Sequence, residues 1–132
     1  MLNVSGCEEL QSIPELEKFT KLAELDVSQC REIQQLPGAK YLNSLELLYV
    51  TECHKLRSTL GLGQLTEFTQ LHVGGCSDIG ELPGVEQLTS LECLNAWECK
   101  KLQTPEHPGF GVTHKAYTSR CSWMQFDTRA AW

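Results

Sequence analysis

A chain of 132 residues, 41% hydrophobic and 21% charged, has the make-up of one folded domain rather than of a disordered segment. Its net charge of -6 argues against nucleic acid as a partner, because neutralising phosphates takes clustered Lys and Arg. No apolar run approaches the about 20 residues that a membrane-spanning helix needs.

The first predicted element begins at once. Leu2 and Val4 alternate with Asn3 and Ser5, which is strand periodicity. Cys7 and Leu10 follow, and Pro14 forbids a long helix through the next stretch. The phrase then recurs every 23 residues: Leu25, Val27 and Cys30; Leu48, Val50 and Cys53; Leu71, Val73 and Cys76; Leu94, Ala96 and Cys99. Ile33, Leu56, Ile79 and Leu102 repeat Leu10 at the same step. Self-similarity at such a period is the mark of a solenoid, in which single coils cannot bury their apolar side chains but stacked coils can. Strands are expected around Leu2–Val4, Leu25–Val27, Leu48–Val50, Leu71–Val73 and Leu94–Ala96, each followed by turns and short helical pieces. One unit departs: Thr59-Leu60-Gly61-Leu62 stands where Leu36-Pro37-Gly38-Ala39 stood, and a shifted turn burying Leu60 is expected there.

The period fades after Leu102, so residues 1–102 form about 4.5 units, opening in mid-unit, and 103–132 form a non-repeat tail. The repeats carry -7 and the tail +1. The opening residues already belong to the repeat, no secretory signal is read before them, and a reducing, intracellular compartment is expected. An uncovered first row, Leu2, Val4, Cys7 and Leu10, is expected to face water and to mark the chain as a truncated piece of something larger. Gln103 to Trp132 is expected to be poorly ordered.

Five cysteines in one register suggest a ladder of inward-facing free thiols, each a small hydrophobe with a weak donor. No C-x-x-C pair exists, and His54, His72, His107 and His114 share no ligand spacing, so neither a metal nor another cofactor is expected. Gly61-Leu62-Gly63 and Gly109-Phe110-Gly111 are loop glycines without a phosphate-binding context, and no enzymatic activity is expected.

The unit L-x-x-L-x-V-S-x-C-x-x-L resembles the leucine-rich repeat. Val4-Ser5-Gly6-Cys7, Val27-Ser28-Gln29-Cys30 and the Leu-Pro pairs at 36–37 and 82–83 make it similar to the repeats of plant intracellular disease resistance receptors, the nucleotide-binding leucine-rich-repeat proteins. The branch with an amino-terminal Toll/interleukin-receptor-like domain is favoured. The resemblance implies an α/β horseshoe arc with a short parallel sheet on the concave side and irregular or short helical convex segments. It also implies a non-enzymatic protein-interaction module in the cytoplasm or nucleus. Such a module would recognise a pathogen effector or a guarded host protein and help hold the receptor's nucleotide-binding domain at rest, with neither nucleic acid nor membrane as partner. A substrate-binding adaptor of the F-box type and a non-functional receptor remnant are the alternatives. The strand positions facing out of the stack would form the binding surface: Glu24, Asp26, Leu47, Tyr49, Gln70, His72, Asn95 and Trp97. Most such positions should be polar, so Leu47, Tyr49, Cys93 and Trp97 stand out, and aromatic residues are favoured anchors at interfaces.

Overall fold

The computed structural model describes residues 1–57, 61–82 and 87–102. The expectations for Leu60 and for the tail lie outside these residues. Five short strands form one parallel sheet in chain order: β1 Leu2–Asn3, β2 Glu24–Asp26, β3 Leu47–Tyr49, β4 Gln70–His72 and β5 Cys93–Asn95. Leu2 pairs with Leu25, Leu25 with Leu48, Leu48 with Leu71 and Leu71 with Leu94. Each pairing spans one 23-residue unit, so one unit is one coil. Parallel neighbours need a crossover, and here the rest of the coil supplies it.

The strands lie one residue earlier than the sequence suggests, centred on Leu25, Leu48 and Leu71. At Asn3, Asp26 and Asn95 the side chain of the strand's last residue takes the N–H two residues on. Asp26 Oδ1 accepts the Ser28 N–H at 2.9 Å and Asn3 Oδ1 the Ser5 N–H at 2.9 Å, which bends the chain just as the valine passes. The valine N–H stays in the sheet: Val27 donates to the Tyr49 carbonyl and Val50 to that of His72. Its carbonyl turns inward instead.

The residue before each ladder cysteine is left-handed in every coil: Gly6, Gln29, Glu52, Gly75 and Glu98. Glycine adopts this φ freely, whereas a residue with a Cβ gives up roughly 1 kcal/mol or more. The stack thus imposes the turn even where Gln29, Glu52 and Glu98 resist it. A second left-handed residue, Glu15, Gly38 or Gly61, opens a single turn of 3₁₀ helix at Leu16–Lys18, Ala39–Tyr41 and Leu62–Gln64. The first residue of each turn, Leu16, Ala39 or Leu62, is buried.

These positions feed one continuous core. Leu25, Val27, Cys30, Ile33, Leu42, Leu45, Leu48, Val50, Cys53 and Leu56 are wholly buried, and Phe68, Leu71, Val73, Cys76 and Ile79 continue the same rows. Burying a leucine is worth about 2 kcal/mol, so each coil depends on both neighbours. Among the described residues the first coil packs against a neighbour on one side. Leu2, Val4 and Leu10 are only half-buried there and Cys7 is exposed, as expected for an uncovered row. Phe19 is 44% exposed although Leu42, one coil on, is 0% exposed.

Three salt bridges also step by one coil, Glu8–Arg31, Glu32–Lys55 and Asp78–Lys101, at 3.8, 2.7 and 2.6 Å. All are solvent-exposed, and such pairs contribute little to stability.

Candidate functional site

The cysteine ladder is built into the interior. Cys30, Cys53 and Cys76 are 0% exposed, and the five periodic cysteines are free thiols. Four of the thiols donate to the valine carbonyl one coil earlier: Cys30 to Val4 at 3.2 Å, Cys53 to Val27 at 3.1 Å, Cys76 to Val50 at 2.8 Å and Cys99 to Val73 at 3.0 Å. Those carbonyls have left the sheet, and a carbonyl with no partner in an apolar interior is costly. The carbonyls of Val4, Val27 and Val73 also accept the cysteine N–H of their own coil, from Cys7 at 3.3 Å, Cys30 at 3.2 Å and Cys76 at 3.3 Å. The ladder therefore seams the coils together.

Its chemistry is quiet. Burial pushes the Cys30 thiol up and holds Cys99 up at about 11. Cys53 and Cys76 act as a pair: contact with Cys53, then burial, holds Cys76 far above its usual value, while the same contact draws Cys53 down. Taking both protons would place two charges side by side in the core, so the second proton is the one retained. Among the described residues no group of three or more His, Cys, Asp or Glu side chains is placed to hold a metal ion. His54 is committed structurally, its Nδ1–H donating to the Gly75 carbonyl at 3.1 Å.

The outer face of the sheet gathers the residues that the sequence marks for binding. Glu24, Asp26, Leu47, Tyr49, Gln70, His72, Asn95 and Trp97 are all half-buried there. The register sets them in rows. One row runs Asn3, Asp26, Tyr49, His72, Asn95, and another runs Glu24, Leu47, Gln70, Cys93. Neighbours in a row are about 4.8 Å apart at the backbone. Tyr49 and His72 exploit that spacing and stack, with ring centroids 4.7 Å apart and planes 25° from parallel. His72 Nε2 also lies 3.4 Å from Gln70 Oε1. Loss of water around the imidazole lowers the His72 pKa, so the neutral ring is favoured.

Trp97 sits beyond the row and folds back over the previous coil. A Cβ built on Gly74 would fall 1.9 Å from Trp97 Nε1 and 2.3 Å from its Cδ1. The indole occupies the space that Ser5, Ser28 and Thr51 fill with side chains in other coils. Gly74 has no positive φ, so close approach, not backbone freedom, is the reason glycine is needed. This pairing was missed in the sequence, although a glycine one period before a tryptophan was the available sign.

Cys93 corrects the sequence reading. It stands at an outward strand position as expected, but it is only 6% exposed and is not one of the free thiols. It offers no open surface to a partner.

Stacked 23-residue coils, one strand each, with leucines inside and a parallel sheet along one side define a leucine-rich-repeat solenoid. No family model and no curated protein matches the chain. It is similar in structure to a leucine-rich-repeat protein of Leptospira interrogans, at TM-score 0.46 and 18% identity, covering 73% of this chain and 30% of that one. It is also similar to the leucine-rich repeat domain of the type III effector XopL, at TM-score 0.44 and 18% identity, covering 72% of this chain and 52% of that one. The chain thus spans about a third to a half of the structures it resembles.

Proposed function

We propose that the chain is a non-enzymatic protein-interaction module whose outer sheet face, centred on Tyr49, His72 and Trp97, is the binding surface. One observation carries the proposal. Three large rings lie half-buried on one regular sheet face, with half-buried Leu47 beside them and polar Glu24, Asp26, Gln70 and Asn95 around, the arrangement expected of an anchored interface. The stacked pair and the seated indole are held by the fold before any partner arrives, which reduces the entropy lost on binding.

The setting we propose is a plant disease resistance receptor of the nucleotide-binding leucine-rich-repeat kind. The V-S-x-C phrase and the Leu-Pro pairs support it, as they resemble the repeats of that family. The repeats would bind a pathogen effector or a guarded host protein and, in its absence, the receptor's own nucleotide-binding domain. A ligand preferring the released arrangement would then shift the balance away from rest. The Toll/interleukin-receptor-like branch and a cytoplasmic or nuclear location belong to the same proposal.

Binding is measured against the nucleotide-binding domain of such a receptor and against effector proteins, using the parent chain and the Tyr49→Ala/His72→Ala/Trp97→Ala variant. The expected result is binding that falls about tenfold or more in the variant, as loss of anchoring residues does. Binding that the triple variant leaves unchanged overturns the assignment of the surface.

A further inference from the structure

We propose that the step between Asp26 and Tyr49 is a seat for an arginine side chain, so that the protein partner of this face presents a basic segment; this rests on the protein-binding reading above. The register places Asp26 of β2 directly beside Tyr49 of β3. His72 of β4 covers one face of the tyrosine ring. The opposite ring face is therefore turned toward the Asp26 strand. A planar cation laid against that face would stack on the ring and bring its N–H groups to the carboxylate.

The carboxylate is held for this. Asp26 Oδ1 accepts the Ser28 N–H at 2.9 Å and Oδ2 accepts Asn3 Nδ2 at 3.4 Å, which fix its direction. A carboxylate has about four acceptor sites, so capacity remains for a forked donor. Glu24 places a second carboxylate one row over, beside Leu47. Among the described residues neither Glu24 nor Asp26 forms a salt bridge, and no Lys or Arg occupies an outward strand position. Of the eight described Lys and Arg residues, Lys18, Arg31, Lys55 and Lys101 are in ion pairs of their own and Lys40 lies over the Tyr41 ring. The face is thus acidic and aromatic without internal neutralisation, and complementary charge would steer a basic partner to it. Arginine fits better than lysine, because a flat guanidinium can stack and fork at once while an ammonium is a point charge.

The full chain in reducing buffer is titrated with nine-residue peptides of arginine, lysine and glutamate, and binding is read by calorimetry and by the Tyr49 and His72 proton resonances. Arginine peptide is expected to bind at least about threefold more tightly than lysine peptide, with no binding of glutamate peptide. Asp26→Asn, which keeps the acceptor for Ser28, and Tyr49→Leu are each expected to weaken arginine binding about fivefold or more. Glu67→Gln, away from the sheet face, is expected to leave it unchanged. Circular dichroism melts confirm that each variant folds. Equal binding of arginine and lysine peptides with no response to Asp26→Asn or Tyr49→Leu overturns the seat and shows general charge attraction only. The two readings separate cleanly. If the triple alanine variant loses its protein partner while Asp26→Asn keeps both that partner and the arginine peptide, the seat falls and the protein-binding face stands. If all variants bind as the parent does, both fall.

Discussion

Gly74 and Trp97 should behave as one unit in a stability measurement. Gly74→Ala adds a single methyl group whose carbon would stand 1.9 Å from Trp97 Nε1 and 2.4 Å from Cε2, contacts no pair of real atoms sustains. The backbone there does not require glycine, since its φ is not positive. On propensity alone the change should stabilise a strand end by about 0.5 kcal/mol. The indole must instead leave its seat or the coils must part, and overpacking of this kind costs about 1–3 kcal/mol. The net expectation is a loss of about 1–2 kcal/mol, roughly 4–8 °C in melting temperature for a domain of this size. Trp97→Ala removes the obstruction. In that background Gly74→Ala should be neutral or slightly stabilising, giving a coupling of about 1–3 kcal/mol in a double-mutant cycle. Urea unfolding followed by circular dichroism measures all four proteins. Additive effects, within about 0.5 kcal/mol, would show that Trp97 does not rest on Gly74 and would undo this part of the sheet-face geometry.

Further outcomes follow from the same geometry. Cys53→Ala should cost about 1–3 kcal/mol, since it deletes a wholly buried side chain and leaves the Val27 carbonyl without the thiol that reaches it; Cys7→Ala, at an exposed end, should cost less than about 0.5 kcal/mol by the same urea assay. Gly61→Ala should destabilise by about 1–3 kcal/mol, because φ is 86° and the new Cβ would lie 2.7 Å from Lys40 Cβ. For His72 the folded pKa lies below the unfolded value of about 6.5, so its contribution is complete above that pH and is lost as pH falls through the folded value. Melts between pH 7.5 and 5, bounds on the order of the histidine range, should therefore show a decline that His72→Gln reduces; an unchanged slope would contradict the burial of the imidazole.

Much of this molecule was legible because a repeat tests itself. One period fixed the strand partners before any coordinates, as a shift of one residue would have turned Leu25, Leu48 and Leu71 outward. The inward thiols and the uncovered first row were legible for the same reason: position in the unit determines neighbours, and an end coil has fewer. The strand ends were less so. Placing strands over Leu25–Val27 assumed that alternation continues to the valine, whereas the Asp26 side chain captures the Ser28 N–H and starts the turn first. The candidate site was legible as a set of outward positions and not as a surface. Cys93 and Trp97 both read as exposed apolar residues, yet one is covered and the other lies folded on Gly74.

The sequence by itself determined the coil: its length, its single strand, the side chains that face in and those that face out, all from periodicity and from the cost of leaving leucine in water. The tertiary structure decided the rest. Glutamine and glutamate take a left-handed φ at 29, 52 and 98 because the packing of coil on coil outweighs a local preference of about 1–2 kcal/mol. Tyr49 meets His72, and Asp26 is the strand neighbour of Tyr49 on its other side, because stacking brings residues 23 apart in the chain to within one strand spacing. Local preference cannot encode such meetings, since they exist only once one coil lies on another.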